Sequence, residues 1–87
     1  MTERLWLVER DYNDKGLIEL VYATTDGDRV RRRARAPAAL QRRGAAVTAA
    51  IDVDADTLEP VDDPDLRDRY ASEATRMAEG HDPDDAV

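Results

Sequence analysis

A chain of 87 residues with no cysteine can hold neither a disulfide framework nor a thiolate metal centre, so its core must come from packing alone. It has no Phe and one Trp, and much of its 41% hydrophobic content is alanine, which buries little area; such a monomer is marginal and self-association would help it. The formal net charge of −7 keeps the chain in solution, but it neither fixes a fold nor implies a basic partner.

The charge is segregated along the chain. Residues 1–28 hold seven acids and three bases, residues 29–51 seven arginines and no acid, and residues 52–87 thirteen acids and three bases. Such a division within one domain predicts that the middle segment lies against another part of the chain or against a partner. The N-terminal residues carry Glu3, Arg4, Glu9 and Arg10, which does not fit a signal peptide, and no apolar run reaches membrane-spanning length. A cytoplasmic protein without a membrane partner is expected.

In chain order, Leu5 to Glu9 is a short apolar run, and the polar turn Asp11 to Gly16 separates it from Leu17 to Thr24. This predicts a β-hairpin. The first strand is apolar on both faces, a sign of a covered outer surface. Thr25 to Asp28 then turns the chain into Arg29 to Arg35. As a strand this segment puts Arg29, Arg31, Arg33 and Arg35 on one side and Val30 and Ala34 on the other; as a helix it would have no apolar stripe.

Loop length at Thr25 to Asp28 decides which way the arginines face. A two- or four-residue loop places them with Ile18, Leu20 and Tyr22, and a three-residue loop with Leu17, Glu19, Val21 and Ala23. The three-residue form, with Gly27 in the left-handed position of a G1 bulge, is the expected one. It sets Arg33 opposite Glu19 and Val30 opposite Tyr22, giving a core face of Ile18, Leu20, Tyr22, Val30 and Ala34 with Arg32 as its awkward member.

Pro37 to Arg43 has the composition of a helical turn closed by Gly44. Ala45 to Val53 alternates, with Val47, Ala49, Ile51 and Val53 on one face, which predicts a fourth strand. Asp63 as N-cap, Pro64 at the first helical position and Asp65 in the first turn begin a helix, and Leu66, Tyr70, Ala74 and Met77 form its buried stripe before a stop at Gly80. Residues 1–80 thus form a single α+β domain: a small antiparallel sheet, a three-stranded meander plus a fourth strand, covered on one face by the C-terminal helix. Residues 81–87 are expected to be an acidic flexible tail.

The arginine row is the one candidate site. Alternate strand residues lie about 6.7 Å apart, near the spacing of successive backbone phosphates, and guanidinium groups suit phosphate and carboxylate alike. Arg29, Arg31, Arg33 and Arg35, joined by Arg42 and Arg43, could therefore bind phosphate or an acidic partner. In the structural reading, Arg31, Arg33 and Arg35 pair with Glu19, Glu9 and acids of the C-terminal segment. No nucleic-acid motif accompanies the row. Trp6 is either a stacking or interface residue on the outer face or part of the core.

Other constellations carry less. Asp52, Asp54 and Asp56 open like a calcium loop, but Thr57, Pro60 and Asp63 stand where glycine and glutamate are needed, so strand exit and helix capping are expected there. His81 among Asp82, Asp84 and Asp85 lies in the tail, and Ser72 falls within the helix without a partner base, so no metal, cofactor or catalytic residue is assigned.

The run Leu58 to Leu66, continuing through Arg69-Tyr70-Ala71 and Met77 to His81-Asp82-Pro83-Asp84-Asp85, together with Trp6 to Arg10, resembles small haloarchaeal proteins of unknown function. The excess of carboxylates and the preference for arginine over lysine also look like adaptation to molar salt. The resemblance implies no activity. The sequence therefore predicts a non-catalytic interaction or self-association module whose partner is itself or another protein, with nucleic-acid binding through the arginine strand as the alternative.

Overall fold

A computed structural model describes residues 1–12, 16–35 and 47–87. The strands β1 (Thr2–Tyr12), β2 (Ile18–Ala23), β3 (Arg29–Arg35), β4 (Ala50–Asp54) and β5 (Glu59–Pro60) form one antiparallel sheet in the order β4-β1-β2-β3-β5. The helix α1 (Pro64–Gly80) packs against β1 and β2. The α+β fold with a meander, a fourth strand and a C-terminal helix is as the sequence predicts, and β5 is an addition too short to leave a sequence pattern.

Both faces of the sheet are buried, which changes how each strand must be read. On one face Leu5, Leu7, Ile18, Leu20 and Tyr22 form a cluster against which Val47, Ile51, Val53 and Leu58 pack. On the other, α1 covers Val21, Ala23 and Val30 through Tyr70, and Trp6, Ala49 and Ala50 through Ala74, Met77 and Ala78. A strand apolar on both sides, as β1 is, belongs in the interior of such a sheet. It lies between β4 and β2.

The register of β3 corrects the sequence expectation. Val30 stands opposite Ala23, Arg31 opposite Tyr22 and Arg33 opposite Leu20, so neither Arg33 with Glu19 nor Val30 with Tyr22 is a pair. The loop has four residues rather than three. Its geometry comes from Thr24 and Asp26: the Thr24 N–H donates to the Arg29 carbonyl at 3.1 Å, the Gly27 N–H to the Thr24 carbonyl at 2.9 Å, and the Asp26 carboxylate accepts from the Thr24 hydroxyl and the Asp28 N–H. These bonds close the loop one residue wider than a G1 bulge. Val30 thus joins Val21 and Ala23 under the helix, and Arg32 lies on that face beside them.

Gly27 does take the left-handed conformation, with φ of +72°. It also lies against α1, where a Cβ would sit 2.1 Å from the Arg67 carbonyl oxygen and 2.8 Å from the Ala71 nitrogen. The turn is held to the helix by Arg67 with Asp28 at 3.5 Å and by the Thr75 hydroxyl donating to the Thr25 carbonyl.

Two irregularities reassign other side chains. In β1 the register shifts between Leu7 and Glu9, leaving Val8 as the extra residue of a bulge; Glu9 then shares a face with Val21, beneath Tyr70. Of the strand expected from Ala45 to Val53, residues 45 and 46 lie outside the described residues, as does the helical turn expected from Pro37 to Arg43; from Val47 onward the regular strand starts at Ala50, and the Thr48 hydroxyl donates to the Ala50 carbonyl. Ala49 and Ala50 both join the cluster around Trp6, so the expected alternation breaks there.

Beyond β4, Asp54 caps a 3-10 turn over Ala55–Thr57 by accepting from the Asp56 N–H, and the chain crosses from one edge of the sheet to the other to form β5. Asp63 caps α1 by accepting from the Asp65 N–H at 3.0 Å. Residues 82–87 run back along 47–50, with the Ala49 and Ala50 N–H groups donating to the carbonyls of Asp85 and Pro83. Among the described residues no helix is long and apolar enough to cross a membrane.

Candidate functional site

The arginine segment becomes the outer part of the sheet at the β5 edge. β5 pairs only with Arg29 and Val30, so from Arg31 onward β3 has a neighbouring strand on one side alone among the described residues. A strand this poor in β-branched and aromatic residues is held by its pairing to β2 more than by propensity. Charged residues on such an edge also discourage pairing with another copy.

The arginines divide by parity. Arg31 and Arg33 stand on the face of Tyr22 and Leu20, both half-buried. Arg29 pairs with Glu3 at 3.0 Å, and Arg31 reaches the Thr57 carbonyl at 3.5 Å. The Arg33 side chain makes no hydrogen bond or ion pair among the described residues. Arg35 continues the register opposite Ile18, and Arg42 and Arg43 lie outside the described residues.

Arg32 faces the helix side, where it pairs with Glu59 at 3.1 Å. Glu9, Val21 and Arg32 form one row across three strands, and Tyr70 lies over it, its hydroxyl donating to Glu9 at 3.2 Å while Arg69 approaches the same carboxylate at 3.6 Å. Burial, followed by the negative charge of Glu9, holds the Tyr70 phenol above its ordinary pKa, so it stays a neutral donor. Among the described residues the carboxylates engaged by the island are thus Glu3 and Glu59, and Glu9 serves Tyr70 and Arg69. The bulge at Val8 brought Glu9 to this face, and no sequence pattern marks it.

Trp6 is 8% exposed, within the chain's own core under α1. Asp52 is held by Arg4 in a two-pronged pair at 2.9 and 3.3 Å, and that contact keeps its carboxyl below the usual range. Asp54 is used as a cap. No group of three or more metal-ligating side chains occurs among the described residues, and Ser72 is exposed on the helix.

Over residues 1–87 the sequence matches a family described as of unknown function, DUF7967. The chain belongs to this family. The match agrees with the resemblance seen from Trp6 to Asp85 in carrying no assigned activity, and it says nothing of the source organism. No curated protein and no solved structure matches the chain.

Proposed function

We propose that this DUF7967 protein is a non-catalytic interaction module whose contact surface is the arginine-bearing outer edge of β3. The observation that carries this reading is that β5 stops at Arg29 and Val30, leaving the most basic strand of the sheet with an open side among the described residues. Among the described residues internal pairing accounts for little of the island: Arg29–Glu3 and Arg32–Glu59 are solvent-exposed pairs of a kind that contributes roughly 0–1 kcal/mol, and Arg33 has no partner there. Carboxylates of another protein or a second copy are the matching chemistry. The carboxylate excess elsewhere in the chain supports a high-salt setting, where only contact-range pairs survive screening.

Binding of nucleic-acid phosphates is the second reading, favoured by the placement of Arg31 and Arg33 on one face. It is weakened because Arg29 is engaged by Glu3 and Arg32 faces the other way. The two are separated by titrating the protein with a short polyglutamate peptide and with oligothymidylate, in the wild type and in a variant carrying Arg31→Glu and Arg33→Glu. The expected result is peptide binding that the variant loses while keeping its melting temperature. Oligothymidylate binding without peptide binding would replace the first reading by the second.

A further inference from the structure

The direction of the backbone along β3 narrows the partner. The Thr24 N–H bonds the Arg29 carbonyl at 3.1 Å, so the alternation of an antiparallel ladder also turns the peptide groups of Arg31 and Arg33 toward β2. Asp28, whose carbonyl accepts from the Val61 N–H at 2.9 Å, begins the opposite set, and Val30, Arg32 and Ala34 point outward. β5 occupies Val30. Arg32 and Ala34, both exposed, present their N–H and C=O groups at an edge that no strand of the described residues covers, about 6.7 Å apart and in line with β5.

The charges along this edge select what can pair there. Antiparallel pairing of β3 with β3 of a second copy through Arg32 and Ala34 would set Arg33 opposite Arg33 and Arg31 opposite Arg35, and like charges directly opposite are destabilising. Carboxylates at alternate positions of an extended segment would instead meet Arg31 and Arg33 on one face. Residues of the opposite parity would face Arg32 and a depression of about 190 Å³ lined by Glu19, Leu20, Val21, Arg32, Arg33 and Ala34.

We infer that the outer edge of β3 takes up an extended acidic segment of another protein as an added strand, through the backbone of Arg32 and Ala34 and the guanidinium groups of Arg31 and Arg33. This rests on the interaction function proposed above and adds to it the binding mode and the partner's chemistry. Main-chain hydrogen bonds supply the attachment, and the alternating charges fix register and choice of partner.

The probe is a synthetic peptide of alternating glutamate and threonine, followed by amide hydrogen exchange and by fluorescence anisotropy. At saturation the Arg32 and Ala34 amides should slow by about tenfold or more while those of Arg31 and Arg33 stay as they were. Arg33→Glu should weaken binding by about tenfold or more through loss of a charge-assisted contact, and Ala34→Pro, which removes an outward N–H, should abolish it. Because proline could strain β3, amide protection in the wild type decides the matter alone. Peptide binding that leaves Arg32 and Ala34 unprotected would overturn strand addition while leaving the interaction function intact. Binding of oligothymidylate only, or of neither probe, would overturn both.

Discussion

Gly27 joins two demands at one residue: a positive φ for the turn and the absence of a Cβ where the turn meets the helix backbone. Gly27→Ala is therefore expected to cost roughly 2–4 kcal/mol, the sum of a strained backbone and an overpacked contact, read as a lower urea midpoint with α1 losing protection first. Its neighbour Asp26 should make the same turn acid-sensitive. The Thr24 hydroxyl, and after it the Asp28 N–H, hold the Asp26 carboxyl below the usual carboxylate range. A depressed pKa contributes stability that is complete above the unfolded value of about 3.9 and is lost as pH falls through the folded value. Asp26→Asn should accordingly flatten the fall in melting temperature on acidification below about pH 4; an unchanged acid limb would mean the carboxylate does not hold the turn. The glycine's conformation was legible in the sequence because few residues accept that φ. Its second role was not, since Arg67 and Ala71 are distant along the chain.

At the scale of elements, α1 shows what local signals can specify. Asp63, Pro64 and Asp65 at its start, the Leu66, Tyr70, Ala74 and Met77 stripe and the stop at Gly80 are read from neighbouring residues and hold in three dimensions. Asp63→Ala should remove the cap and destabilise the protein by about 1 kcal/mol, measurable by denaturant titration. The strands were harder because each depends on its neighbours. The four-residue loop displaced β3 by one residue from the expected register, and the bulge at Val8 moved Glu9 under Tyr70. Neither leaves a periodic signature, and a shift of one residue exchanges the faces of a strand. Trp6 followed from the same cause: with both sheet faces covered, its side had a core to enter. Trp6→Ala should cost roughly 3–5 kcal/mol, and wild-type tryptophan emission should shift to the red on unfolding; an emission maximum already red in the folded protein would contradict burial.

For the whole molecule, the described core is spread over two sheet faces, with Leu5, Leu20 and Tyr22 on one and Trp6, Val30 and Tyr70 on the other, while the acidic segments flank the basic one in sequence. Self-repulsion from a net charge of −7 should be relieved by salt, so the melting temperature is expected to rise as potassium chloride is increased toward molar concentration. A flat response would indicate that the carboxylate excess does not burden the fold. The arginine row was legible as a one-faced strand, but the outward direction of the Arg32 and Ala34 backbone was not, because outward and inward peptide groups are assigned by the Thr24–Arg29 hydrogen bond. That assignment underlies the proposed function and its partner. Amide hydrogen exchange on the unbound wild-type protein tests it most directly: the amides of Arg31 and Arg33 should be protected and those of Arg32 and Ala34 should exchange rapidly. Equal protection at all four would show the outer edge of β3 already occupied and would contradict the account.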